Sequence, residues 1–411
     1  SNILSLAVKN IETSFIFLAR LFVYLQLVVK RPSNERIPHK FLCPTLPLQL
    51  YILLDMKQSP LAKKLPRWAE IDGIIAPPSI SMEQCSSEKA ALYKREVIQR
   101  LFPQGGNEMT DLTGGFGVDF STLAPTFKHG TYVEQSAELC RIARHNFPLL
   151  GVKAVDVVNG VAEEILPTLP PQDLIYLDPA RRSDVGRKVL LVEDCTPNAA
   201  ELMPALLDKA KHVVIKLSPM LDITRAMQSL GAAAEVHIVS VGGECKELLL
   251  VYPNAEGGTQ IICHDDRYDF SFDANAESMA TVKYTDEVKT YLYEPGAAVL
   301  KAGAFRLMSE RFGLEKLHPN SHLYTAEHLV EDFPGRAFRV HTVSGFGKRE
   351  IRPLLAATKQ ANLAARNFPG TVAELRKRFK LRDGGDDYWF ATTLYNERHV
   401  IIATQKVVDC K

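Results

Sequence analysis

The stretch Asp111-Leu-Thr-Gly-Gly-Phe-Gly-Val-Asp119, followed by Tyr132-Val-Glu134 and Asp173-Leu-Ile-Tyr-Leu-Asp-Pro-Ala-Arg181, decides the fold. A short apolar run ends in a glycine turn, the next strand ends in an acid, and a later strand ends in Asp178-Pro179. Gly114, Gly115 and Gly117 let the backbone turn tightly and approach a ligand with no Cβ in the way. Glu134 stands 19 positions after Gly115, where a carboxylate can accept both hydroxyls of a ribose. A nicotinamide-type Gly-x-Gly-x-x-Gly would need glycine where this chain has Phe120, so that fingerprint fails.

Outward from this stretch the chain alternates. Strands are expected at 108–112, 131–134, 154–158, 173–178, 212–217, 235–241 and 247–252, with helices over Ser86–Phe102, Ala137–Leu150, Pro197–Lys211 and Leu221–Gly231 between them. Thr196 before Pro197 suits a helix entry, Thr as N-cap and Pro in the first turn. Such alternation predicts a mostly parallel, doubly wound α/β sheet with ligands at the carboxyl ends of its strands. The last two strands are joined by Gly242-Gly243 and a few polar residues, too few for a crossover, so they should pair antiparallel. From Asn254 the composition shifts, and a Gly- and Asp-rich stretch to about Asp273 suits a boundary before mixed α+β material.

A chain of 411 residues is long enough for two or three domains. Apolar residues make up 46% and charged ones 24%, as in a globular protein that is not membrane-embedded. The net charge of +1 excludes an overall polyanion binder, so any nucleic-acid signal must be regional. Seven scattered cysteines without a Cys-x-x-Cys, and histidines without ligand spacing, read as reduced thiols with no metal site. Phe15–Val29 is strongly apolar but carries Arg20 mid-run, which costs about 2.5–3.5 kcal/mol at a bilayer centre. It is expected to be a buried helix in a helical region 1–85, with no membrane partner and a cytoplasmic location.

Four further features carry chemistry. Asp178, Pro179 and Arg181 follow the fourth strand, where a carboxylate can accept a hydrogen bond from a nucleophile and Arg181 can hold a phosphate. Lys216-Leu-Ser-Pro219 ends the fifth strand at the same crevice, with Ser218 the residue favoured. Cys195, just before a helix start, and Cys245, in a polar Gly-Glu-Cys-Lys-Glu stretch, enter as candidate thiolate nucleophiles, although a lone cysteine is usually a core residue. Between Gly345 and Arg382 ten basic residues face two acidic ones. Lys348, Arg349, Arg366, Arg376, Lys377 and Arg378 could track a phosphate backbone, with Phe346, Phe368 and Phe379 available for stacking.

The chain resembles the bacterial class I S-adenosylmethionine (SAM) methyltransferases with a C-terminal THUMP-like domain. The resemblance rests on the quoted motifs, on Glu83-Gln-Cys-Ser-Ser-Glu88, Ala143-Arg-His-Asn-Phe-Pro148, Glu193-Asp-Cys-Thr-Pro197, Tyr293-Glu-Pro295 and Arg366-Asn-Phe-Pro369, and covers about residues 65–405. It implies a Rossmann-like methyltransferase domain over 86–255, a ferredoxin-like domain over 270–335 and a THUMP-like domain over 336–411. SAM would be held by Gln84, Ser86, Ser87, Asp111, Thr113, Gly114, Gly115, Phe116, Gly117, Glu134, Ala162 and Asp178. THUMP domains belong to RNA-modifying enzymes, so the implied activity is methylation of a base in tRNA or rRNA, with Asp178, Pro179 and Arg181 at the target. Two alternatives stay open: a protein or small-molecule methyltransferase, and a non-catalytic RNA-binding assembly factor on this scaffold.

Overall fold

In the computed structural model, residues 60–76, 79–181, 191–253 and 257–407 are described, without the side chains of residues 79–81 and 181. The apolar segment 15–29, Arg182 and the Arg181 side chain lie outside the described residues. The chain divides into two units, Ser1–Asp72 and Gly73–Lys411. The described part of the first holds two short helices, Pro60–Lys64 and Pro66–Ala69.

The second unit contains a nine-stranded sheet. Its strands are β1 (Gly106–Asp111), β2 (Phe127–Glu134), β3 (Val155–Asn159), β4 (Gln172–Leu177), β5 (Ala210–Leu217), β6 (Glu235–Val241), β7 (Glu244–Tyr252), β8 (Gln260–Asp265) and β9 (Tyr268–Asp273). They run in the order β9-β8-β6-β7-β5-β4-β1-β2-β3. Strands β3, β2, β1, β4 and β5 are parallel, and β7 slots between β5 and β6, antiparallel to both. Gly242 and Gly243 both take positive φ (64° and 79°), the conformation a tight hairpin turn requires. The expected antiparallel pair is therefore present. Every residue of β4 is buried, as a central parallel strand covered on both faces demands.

Helix α1 (Glu88–Leu101) begins where the Ser87 hydroxyl accepts from the Ala90 N–H at 3.3 Å. Its buried residues Ala90, Tyr93, Lys94, Val97 and Ile98 recur at helical spacing. Helices α2 (Val118–Leu123), α3 (Ala137–Leu149), α4 (Ala199–Lys209) and α5 (Ile223–Leu230) fill the crossovers. The start of α4 corrects one expectation. Its N-cap is Asn198, whose side chain accepts from Ala200 N–H at 3.2 Å, because Thr196 is paired with Ala180 in a two-residue ladder.

The stretch expected as a boundary instead carries the β8–β9 hairpin, which extends the first sheet beyond β6. Its inward residues Ile261, Cys263, Phe270 and Phe272 alternate along both strands, a pattern masked by the surrounding Gly257, Gly258, Asp265 and Asp266. A second, eight-stranded sheet follows. Strand Gly335–Gly345 pairs antiparallel with Tyr291–Pro295 on one side and His399–Lys406 on the other. One apolar cluster joins the two sheets, since Leu248, Leu250 and Cys263 share it with Tyr293, Ala298, Val299 and Met308. Lys301 Nζ also donates to the Leu221 carbonyl at 2.7 Å, fastening the second sheet's helix Ala297–Ala302 to the loop after β5.

Candidate functional site

The carboxyl ends of β1, β2, β4 and β5 meet around the glycine turn. Leu112 N–H donates to Tyr176 O at 3.1 Å and Gly114 N–H to Val133 O at 2.8 Å, so the turn is knitted to the strands on either side. Gly117 caps α2 with φ +84°. A Cβ on Gly114 would lie 2.1 Å from the Tyr132 ring and one on Gly117 2.7 Å from Phe147, so bulk is excluded beneath the turn. Gly115 differs. A Cβ there would meet only the Thr113 carbonyl, at 3.8 Å, so its outer side is open for a ligand.

Two acids bracket this turn. Glu134 Oε2 accepts from Gly115 N–H at 2.8 Å and Oε1 from Ser136 N–H at 2.7 Å, which fixes the carboxylate at the end of β2. The buried Asp111 accepts from the Thr113 N–H at 2.9 Å and hydroxyl at 3.3 Å. Burial, with the nearby charges of Asp119 and Asp178, pushes the Asp111 pKa up to about 8. Phe116 and Ala162, expected at the cofactor, are buried and pack as walls. Gln84 is exposed. A glycine cradle with an open face and a fixed acid opposite it fits SAM.

Beyond the turn the structure gathers groups from five elements. Asp178 N–H donates to Thr113 Oγ1 at 2.6 Å, and its carboxylate Oδ2 lies 2.5 Å from Lys216 Nζ. Lys216 also reaches Asp119 Oδ2 at 3.4 Å and Ser86 Oγ at 3.3 Å. Lys94 on α1 is 3.0 Å from Asp119 Oδ1, 2.6 Å from Glu247 Oε1 on β7, and 2.9 Å from Ser86 Oγ. Ser86 and Tyr176 donate hydroxyls to Asp119 Oδ2 at 2.8 and 2.9 Å. Side-chain exposure is 1% for Lys94, 10% for Lys216 and 6% for Glu247, whereas Asp178 keeps 33%. Asp178 is thus the member of the lattice that opens most to the crevice.

Electrostatics follow from this packing. Burial alone would raise Asp119, but Lys94 and Lys216 outweigh it and hold the carboxyl well below its usual range. Burial would lower Lys216, but Asp178, Asp119 and Glu247 raise it well above an ordinary lysine, so it stays an ammonium. Asp178 is raised by burial against the opposing pull of Lys216.

Sequence reasoning named Ser86 and Asp178 but missed Lys94, Asp119 and Glu247, and passed over Lys216 for Ser218. Ser218 is exposed and accepts from the Met220 N–H at 3.3 Å. A charged residue inside an apolar run, as Lys216 is in Val213–Leu217, was the available signal. Ser87 is occupied as the α1 cap. The Cys195 thiol is buried and donates to the Leu191 carbonyl at 3.6 Å. Burial pushes Cys245 up to about 11. Cys195 is thus spent on a backbone carbonyl, and burial disfavours the thiolate of Cys245.

The basic candidates divide. Arg366 is held by Glu294 at 2.7 Å, Arg376 pairs with Asp383, and Arg378 lies 3.9 Å over the Phe346 ring. Lys348, Arg349 and Lys377 are exposed and have no carboxylate partner among the described residues. Phe379 is buried in the local core against which Phe346 and Phe368 pack, so stacking on them would require displacement. Among the described residues no His, Cys, Asp and Glu group could hold a metal, and no helix is long and apolar enough to cross a membrane.

Residues 291–334 match a ferredoxin-like domain model and residues 335–406 a THUMP domain-like model, so strand Gly335–Gly345 begins the second where the first ends. The crystal structure of a proposed methyltransferase from Porphyromonas gingivalis W83 is 34% identical, with a TM-score of 0.77 over 94% of this chain and 97% of that one. An uncharacterized S-adenosylmethionine-dependent methyltransferase of Mycobacterium tuberculosis is 25% identical over 310 residues, 73% of this chain and 80% of its own length.

Proposed function

This chain belongs to the SAM-dependent methyltransferases that carry ferredoxin-like and THUMP-like domains behind the catalytic sheet, and from that premise we propose that it methylates structured RNA, tRNA or rRNA, in the cytoplasm. SAM would rest on the turn from Asp111 to Gly117 with its ribose toward Glu134, and the RNA acceptor would meet Asp178, Pro179 and Arg181. The acceptor expected from the sequence is a base.

The observation that carries the RNA reading is the THUMP-like module with exposed cations at Lys348, Arg349 and Lys377 that have no carboxylate partner among the described residues. Such cations favour a phosphate backbone, and a fold built on shape reads structured RNA. The test is transfer of a radiolabelled methyl group from SAM to total RNA of a strain lacking this gene, beside wild-type RNA. Label in the former and not in the latter is the expected result. No label in either, despite SAM binding by calorimetry, would redirect the search to a protein or small molecule, or to a binding factor.

A further inference from the structure

We propose that Asp178 and Lys216 form a donor–acceptor couple for a hydroxyl group, so that the methyl acceptor is the ribose 2′-hydroxyl of the RNA and not a base. This rests on the RNA reading above and replaces the base that the sequence led us to expect.

Each possible methyl acceptor makes its own chemical demand. A pyrimidine carbon needs a thiolate, and neither Cys195, buried and bonded to Leu191 O, nor Cys245, raised by burial, supplies one. A base brought to Asp178 would want a ring to lie against. The residues after Asp178-Pro179 are Ala180 and Arg181, and Tyr176 on the same strand is 1% exposed with its hydroxyl given to Asp119. Among the described residues, what the crevice offers is a carboxylate with an ammonium 2.5 Å away.

That pair suits an atom which both donates and accepts while keeping a lone pair for attack. A hydroxyl has one O–H and two oxygen lone pairs, whereas a base nitrogen has a single lone pair that a lysine N–H would take from the reaction. The internal nucleotides of RNA carry one free hydroxyl, at the ribose 2′ position. Asp178, whose side chain keeps 33% exposure to the crevice, accepts the hydroxyl proton. Lys216, whose three N–H groups otherwise serve Asp178, Asp119 at 3.4 Å and Ser86 at 3.3 Å, gives up the long Ser86 contact to donate to one oxygen lone pair and stabilises the negative charge as that proton leaves. The oxygen attacks with the other lone pair. The O–CH3 bond forms as the S–CH3 bond breaks, its electron pair stays on sulfur as the thioether, and the proton passes from Asp178 to water.

The surrounding lattice makes the couple permanent. Asp119, Ser86 and Glu247 keep Lys216 cationic and aimed, and Lys94 balances the two carboxylates behind it. These are positioning residues, contributed by α1, α2, β7 and the segment before α1. A group held this way needs no reorganisation at the moment of transfer.

The experiment uses the full chain, tritiated SAM and total RNA from the deletion strain, followed by alkaline hydrolysis. Alkali cleaves RNA through the 2′-hydroxyl, so methylation there leaves the label in an alkali-stable dinucleotide. That is the expected result. Label in mononucleotides would overturn the inference while leaving the RNA reading intact, and no label in RNA would overturn both. Lys216→Met should lose about 100-fold in single-turnover methyl transfer, with SAM affinity by calorimetry unchanged. It should also move the rising limb of the pH–rate profile to higher pH, because Asp178 loses its cation. Lys216→Arg should recover part of the rate. A Lys216→Met protein with full activity, or a Lys216→Arg protein whose loss matches its loss of SAM binding, would remove Lys216 from the couple.

Discussion

Asp111 sits at the end of β1 with a carboxyl that burial holds near pKa 8 and whose oxygen serves the Thr113 turn. The folded state therefore binds a proton on Asp111 over a range, from about 4 to about 8, in which the unfolded chain has released it. Stability from this group is present below the lower limit and is lost as pH rises through the upper one. Asp111→Asn keeps the acceptor for Thr113 N–H and has no proton to lose. The variant should therefore melt higher than the wild type at pH 8.5 and differ less at pH 5, as measured by calorimetric melting of the SAM-free protein. Equal gaps at both pH values would place the proton elsewhere.

At the level of elements, α1 and β7 are far apart in sequence and are joined through Lys94 and Glu247 at 2.6 Å. Both side chains are out of water, so removing one strands a charge. Lys94→Met should cost about 3–5 kcal/mol in denaturant unfolding. The double variant Lys94→Met/Glu247→Leu should recover much of that, since apolar side chains of similar size can replace a buried pair. A double variant as weak as the single one would mean that Asp119 is the partner that matters. This lattice also marks where sequence reading stops. The order glycine turn, acid, Asp-Pro was legible because it is local and each part ends a strand. Lys94, Asp119 and Glu247 were not, since each lies in an element that is otherwise plainly helical or apolar, and only the sheet order β7-β5-β4-β1 brings them together. The β8–β9 hairpin was lost for a related reason: short strands inside Gly- and Asp-rich sequence look like a linker until β6 supplies an edge to pair with.

Across the whole molecule the shared core and the Lys301–Leu221 bond make the second sheet part of the same body as the crevice. RNA gripped by the THUMP-like region would then be presented to Asp178 at a fixed distance, and grip should be separable from chemistry. Of the basic residues over 345–382, Arg366, Arg376 and Arg378 are engaged by Glu294, Asp383 and Phe346, so replacing them would disturb folding as well as binding. Lys348, Arg349 and Lys377 are exposed, and their replacement by alanine should leave melting and SAM affinity unchanged. If each neutralises one phosphate, the slope of log affinity against log salt should flatten by about 2, three contacts at about 0.7 each on single-stranded regions. Filter binding from low to moderate salt measures that slope directly. An unchanged slope with intact methyl transfer would move the RNA path to another face, and the other exposed cations of this stretch, Arg352, Lys359, Lys380 and Arg382, would be the next to test.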